Sequence, residues 1–392
     1  MRLSMLIVLF AATAAFGTPH VANGPEPAEG VVDLRLEPVW EVGGEDDEET
    51  ILGLITQIIE DADGNLYLLD RQLSQVSVFS PDGEFLRALS REGDGPGEVR
   101  GPNDMFFTPE GDLALMQIFP GRVVLIDTMG EPRGTFPYAT DGSSFAVLVR
   151  GVSSGGTLAL AGINQNFAGG QLTQAYFLSS FAADGSVATT FVEKANTMNF
   201  GAMVLDERSV DFPWSRFDID ASGRLIVAPS RDDYLIEVRN PDGTLALSFD
   251  RELEPWARTE TDERRIHQAL EAQGRNYPAP PEITYEDTEP ALNSLTVLED
   301  GSIWTVTNRS LRSRAPGVAI EWDVFSAEGG YLRRVRLLGD ADGLDDLIRI
   351  LSPDRAIVVR NFWSALASSR GVENDGDEDP SPMSVISCRL VP

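Results

Sequence analysis

Four small polar residues stand at one fixed distance from a glycine. Thr56, Asn103, Ser215 and Asn293 each lie eight positions before Gly64, Gly111, Gly223 and Gly301. Asn103-Asp104 and Asn293-Ser294 match each other closely. Amide and carboxylate oxygens that converge suit a hard cation such as Ca2+, which takes oxygen ligands. Asn103, Asn293 and Asp104 are the candidate metal ligands on this reading. The same positions equally suit a hydrated channel whose polar side chains hold water. Arg216 follows Ser215 and joins Thr56, Asn103, Ser215 and Asn293 as a candidate lining residue. Arg150, Arg216, Arg231 and Arg309 lie near expected strand ends. They suit either a local positive patch for an anionic ligand or salt bridges to the many carboxylates.

Other chemistries are excluded by count. The chain has two histidines, His20 and His267, and one cysteine, Cys388. With His20 inside the expected leader, catalysis that needs two or more histidines cannot be built, and neither can a zinc site of His/Cys type. A Ser-His-Asp triad would have to use His267, in a stretch that reads as a solvated helix. The glycines at 93, 95 and 97 are not followed by Lys-Ser/Thr or a helix, so they form no phosphate cradle. The net charge is −31, with Lys194 the only lysine. Such a surface repels phosphate backbones, so nucleic acid is not an expected partner.

The elements that position these residues come from a repeated phrase. Asp61-Ala62-Asp63-Gly64-Asn65-Leu66-Tyr67-Leu68-Leu69 returns at 108–115, 220–227 and 299–304 as an acidic or small turn, a Gly and an apolar run. A second pattern follows each copy, as in Val76-Ser77-Val78-Phe79-Ser80-Pro81-Asp82-Gly83, and reads as a hairpin of alternating strands. With Gly156 and a Gly-less copy at 352–359 the phrase occurs six times. Four strands per copy predict an all-β chain, a six-bladed β-propeller of antiparallel blades. The last copy has three strands, so the early strand over 38–43 is expected to close the last blade and remove the open edges. A helical and Pro-rich insertion is expected at about 252–290, lying across one face of the ring between blades four and five. The acidic stretch 373–379 reads as a loop.

The N-terminus reads differently. One arginine, an apolar run from Leu3 to Phe16 and small residues near a cut fit a secretory signal peptide over 1–22, with cleavage after Gly17 or Ala22. The run is too short to span a bilayer, and no later apolar stretch approaches that length, so stable membrane insertion is not expected. A secreted or periplasmic location follows.

Leu68-Leu69-Asp70 with 76–83 is similar to the NHL-repeat pattern. Arg91-Glu92-Gly93-Asp94-Gly95-Pro96-Gly97-Glu98 and Pro290-Ala291-Leu292-Asn293 resemble linkers of a bacterial six-bladed β-propeller family, and the resemblance spans about 31–392. It implies the fold and assigns no activity. Six-bladed lactonases resembling gluconolactonase hold a channel metal with Glu, Asn and Asp, which makes a divalent-metal-dependent lactonase or hydrolase one expectation. The other is a binding or scaffolding module for a protein, peptide or glycan.

Overall fold

The recurring phrase forms a tight turn because its acidic side chain replaces missing backbone partners. Asp220 Oδ1 accepts from the Ser222 and Arg224 backbone N–H groups at 2.9 and 3.0 Å. Asp61 does the same for Asp63 and Asn65. Gly223 then takes φ +81°, a left-handed conformation that disfavours any side chain. The apolar run after each turn becomes a strand buried on both faces; Leu66–Asp70 and Leu113–Gln117 are buried throughout.

The computed structural model describes residues 18–45, 47, 50–138, 145–275, 277, 279–369 and 382–392. Most of the expected leader and the acidic stretch 373–379 lie outside the described residues. The chain is a six-bladed β-propeller. Blades one to five comprise residues 55–89, 102–135, 145–199, 217–251 and 292–338, each an antiparallel meander of four strands. Blade six takes three strands from 347–391, and its fourth is the second half of Val31–Gly43, antiparallel to Ser384–Val391 from Arg35↔Val391 to Gly43↔Ser384. Six apolar clusters sit at the six blade junctions. One joins Tyr67 and Val78 of blade one to Met105 and Leu115 of blade two. Another joins Trp304 and Trp322 of blade five to Ile350 and Ala356 of blade six. Large flat side chains thus fill the wedge between neighbouring sheets, and closure leaves no blade with a bare inner face.

The N-terminal segment does more than close blade six. His20–Asn23 adds in parallel to the outer strand of blade four, and Val31–Arg35 adds in parallel to the outer strand of blade five. Asn23 ties the two, donating to Asp250 O and Gly329 O and accepting from Tyr331 N, all at 2.9 Å. One continuous segment therefore straps three successive blades.

Antiparallel order gives the ring two unlike faces. The short turns after the first strand of each blade, and after the third strand of blades one to five, fall on one face, here termed the turn face. The connectors after the second and fourth strands fall on the opposite, connector face. It carries helices α1 (Glu207–Val210), α2 (Glu260–Gly274), α3 (Asn308–Arg312) and α4 (Phe362–Ser369).

Candidate functional site

The inner strands are held together by side chains that reach from blade to blade around the axis. Gln57 of blade one accepts from Ile58 N at 3.0 Å and donates to Asp104 of blade two at 2.5 Å. Asp104 also accepts from Met105 N at 2.9 Å and from Gly151 N of blade three at 2.8 Å. Asp218 repeats the device, accepting from Ile219 N at 2.9 Å and from Val297 N of blade five at 3.0 Å. An inner-strand carboxylate thus supplies acceptors to neighbouring blades at once, where backbone donors would otherwise be orphaned. Burial pushes the Asp104 carboxyl up, against the pull of Gly151 N–H, Arg150, Gln57 and Arg349.

Arg349, on the inner strand of blade six, lies within electrostatic reach of Arg150, Asp218 and Asp104 from blades three, four and two. Residues of four blades can meet this way only at the ring axis. Burial pushes the Arg349 guanidinium down, Arg150 adds to this, and Asp218 and Asp104 oppose it. Arg150 reaches the Trp214 carbonyl at 3.4 Å and lies over the Phe217 ring at 4.6 Å. At the connector-face end of blade one, burial likewise lowers Arg71. Among the described residues, Arg71 and Arg349 are the two arginines whose guanidinium groups make no hydrogen bond or ion pair.

The residues picked out by spacing are distributed rather than gathered. Thr56 and Asn103 sit at inner-strand irregularities of blades one and two, between Ile55 and Gln57 and between Pro102 and Asp104. The Thr56 hydroxyl is buried without a partner, and Asn103 donates to Val149 O at 2.9 Å. Ser215 and Asn293 are exposed at the connector-face ends of blades four and five, joined by Ser215 Oγ donating to Asn293 O at 2.6 Å. Asn293 Nδ2 lies 3.5 Å from Asn308 Oδ1. Arg216 is no open lining group: it is 3% exposed, paired with Asp211 at 2.9 Å and donating to Ser230 O. The proposed ligands Asn103, Asp104 and Asn293 thus turn to different partners, and among the described residues no three His, Cys, Asp or Glu side chains gather as a metal-binding group. Arg231 and Arg309 salt-bridge, to Glu207 and Asp232 and to Glu254.

Spacing missed Gln57, Asp218, Arg349 and Arg71. The signal for the first lay one residue on: the inner-strand irregularity moves the blade-bridging side chain from Thr56 and Asn103 to Gln57 and Asp104. Asp218 stands five residues before Gly223, and no turn glycine marks the strand of Arg349.

The connector face is stiffened by buried ion pairs. Glu207 of α1 binds Arg231 and Arg258 at 2.8 and 2.6 Å; Arg258 and Arg312 bind Glu289; and Arg312 and Arg265 bind Asp262 of α2. The same face presents apolar side chains to solvent. Phe119 and Phe145 are 59% and 54% exposed with ring centroids 6.3 Å apart, and Ile51, Leu73 and Trp363 are also exposed. No helix among the described residues is long and apolar enough to cross a membrane.

Comparison with known proteins agrees with this architecture. No curated protein sequence matches the chain. A solved protein of Bacteroides fragilis NCTC 9343 is 13% identical, with 94% of this chain and 99% of that one aligned at a TM-score of 0.49. A member of the DUF4221 family from Bacteroides vulgatus ATCC 8482 is 10% identical over 91% and 98% of the two chains, at a TM-score of 0.50. The calcium-binding protein regucalcin from Agrobacterium tumefaciens is 10% identical over 91% and 96%, at 0.44. At these identities the likeness concerns the fold alone. Residues 45–127, spanning blade one and most of blade two, match the model of a family described as a 6-bladed beta-propeller.

Proposed function

We propose that the protein is a binding module whose protein, peptide or glycan ligand docks on the connector face over the mouth of the channel. The observation that carries this reading is the exposed Phe119–Phe145 pair, held on the connector face by the connector of blade two and the first residue of blade three. Solvent-facing aromatic pairs cost solubility, and ones rimmed by polar residues mark interaction sites. A rigid support favours binding, since little ordering is left for the ligand to impose.

The alternative, a divalent-metal-dependent lactonase or hydrolase in the channel, needs carboxylates free to ligate. Both oxygens of Asp104 already accept hydrogen bonds. Near-stoichiometric Ca2+ in protein purified without chelator, with a lower melting temperature in EDTA, would favour that alternative.

We also propose export through a secretory signal at the N-terminus, with processing after Gly17 rather than Ala22. A cut after Ala22 would remove most of the strand His20–Asn23 that pairs with blade four. Mass spectrometry of the exported chain distinguishes the two cuts.

The binding reading is tested by probing peptide and glycan arrays with the wild type, a Phe119→Ala/Phe145→Ala double variant and a turn-face control, Met129→Ala. Loss of signal in the double variant alone supports the connector face. Equal signal from all three, or loss in Met129→Ala alone, overturns it.

A further inference from the structure

A polar pocket opens between blades four and five at their connector-face end. It is a cavity of about 300 Å3, lined by Arg251 at the end of blade four, Glu321 and Arg334 of blade five, Arg309 of α3, and Pro25 and Glu26 of the N-terminal strap. That volume is at the small end of ligand sites. The lining is mostly polar and carries both signs of charge, with five carboxylates and three guanidinium groups.

The deepest of these charges are matched. Asp323 is buried and accepts from Tyr331 at 2.5 Å, Arg251 at 2.7 Å, Tyr234 at 3.2 Å and Arg334 at 3.3 Å. Glu321 stands two residues away on the same strand, Val318–Phe325, and so faces the same side. It is left out of this network. Its cross-strand neighbour Arg336 is taken by Asp33 at 2.7 and 2.8 Å. Among the described residues the half-buried Glu321 carboxylate makes no hydrogen bond or ion pair, although three arginines share its cavity. Burial pushes this carboxyl up, and Arg334 and Arg336 oppose the shift without closing on it. The arginines are under-used as well. Arg251 is 8% exposed, and its Nε is buried with no partner. Its Nη1 has only long contacts of 3.5 and 3.4 Å, to the carbonyls of Pro25 and Glu252 on the cavity lining. The Arg309 guanidinium pairs at 3.1 Å with a largely exposed Glu254, and such surface pairs hold weakly.

We propose that this pocket binds a free α-amino acid, its ammonium on Glu321 and its carboxylate on Arg309 and the Nη1 of Arg251. Opposite charges that share a small cavity without meeting suit a ligand that carries both. A simple amine would also meet three guanidinium groups, and a simple anion five carboxylates. A zwitterion answers both, and its lack of net charge makes it indifferent to the molecule's −31. Both contacts are charge-assisted hydrogen bonds, the stronger kind. A neutral sugar would leave the half-buried Glu321 without a counter-charge. The site is separate from the Phe119–Phe145 pair of blades two and three and does not depend on it.

The probes are the standard L-amino acids, tested singly on the full folded chain by thermal shift and then by calorimetry. At least one is expected to bind with a Kd of about 1 mM or tighter. N-acetylation and C-terminal amidation of that amino acid should each weaken binding about tenfold or more. Glu321→Gln is expected to abolish the difference between the free amino acid and its N-acetyl form, and Arg309→Gln to reduce the difference between acid and amide. Both variants should melt within about 2 °C of wild type, since one group is unpaired and the other holds a surface pair. A larger fall in Glu321→Gln makes Glu321 structural and overturns the proposal. So does the absence of binding by every standard amino acid up to about 10 mM, or binding that N-acetylation or Glu321→Gln leaves undiminished. Ethylamine or acetate binding as tightly as the amino acid also overturns it, by showing that one charge suffices.

Discussion

Asp104→Ala is the sharpest test of how the inner strands are held. The carboxylate is 3% exposed and serves three donors from three blades: Gln57 Nε2, Met105 N and Gly151 N. Alanine leaves all three without acceptors in a space about the size of one water. An orphaned buried donor costs about 1–3 kcal/mol, and a water admitted to the gap recovers part of that. The raised carboxyl pKa works the other way, because removing a desolvated charge relieves some strain. The net expectation is a loss of about 2–4 kcal/mol. At this chain length that lowers the melting temperature by about 2 °C per kcal/mol. Asp218→Ala orphans two backbone donors at a less buried site and is expected to cost about 1–2 kcal/mol. Urea unfolding with unchanged m-values reads both. A loss below about 0.5 kcal/mol in Asp104→Ala, or a larger loss in Asp218→Ala, refutes the reasoning.

Three further outcomes are expected. Gly83→Ala should destabilise by about 1–3 kcal/mol in thermal melts, because Gly83 has φ +85° and its Cβ would stand 2.6 Å from Trp40 Cγ on the closing strand. Asp262→Asn should show a pH-dependent cost. Burial raises this carboxyl, but the Thr259 backbone N–H, the Trp256 indole, the Thr259 hydroxyl and Arg312 hold it well below the usual range. A depressed folded pKa contributes stability above the unfolded value near 3.8 that is lost as pH falls below it. The gap between wild type and Asp262→Asn in urea midpoints should therefore be full at neutral pH and shrink below about pH 4; a constant gap counts against the network. Phe119→Ala/Phe145→Ala should melt within about 0.5 kcal/mol of wild type, since both rings face solvent; a large loss would make them structural.

The sequence reveals the blades well because their signals are local. Asp61 and Asp220 close their own turns, and the apolar runs after them alternate or bury within a few residues. Closure by 38–43 was legible because the last copy lacked one strand, whereas the pairing of His20–Asn23 with blade four depends on contacts more than two hundred residues apart. The site was legible only to within a residue. An extra residue in the inner strand shifts the bridging side chain from Asn103 to Asp104, and spacing alone carries no sign of that irregularity. Arg349 could not be found by the same ruler, because its strand ends in Ser352-Pro353-Asp354 without a glycine. Arg216 was misplaced for an electrostatic reason: Asp211, five residues earlier, captures it.

The most direct test of the account is a crystal structure of the chain with a peptide or glycan selected from the arrays bound. The account predicts ligand density against the Phe119–Phe145 pair on the connector face. Ligand density confined to the turn face would contradict it.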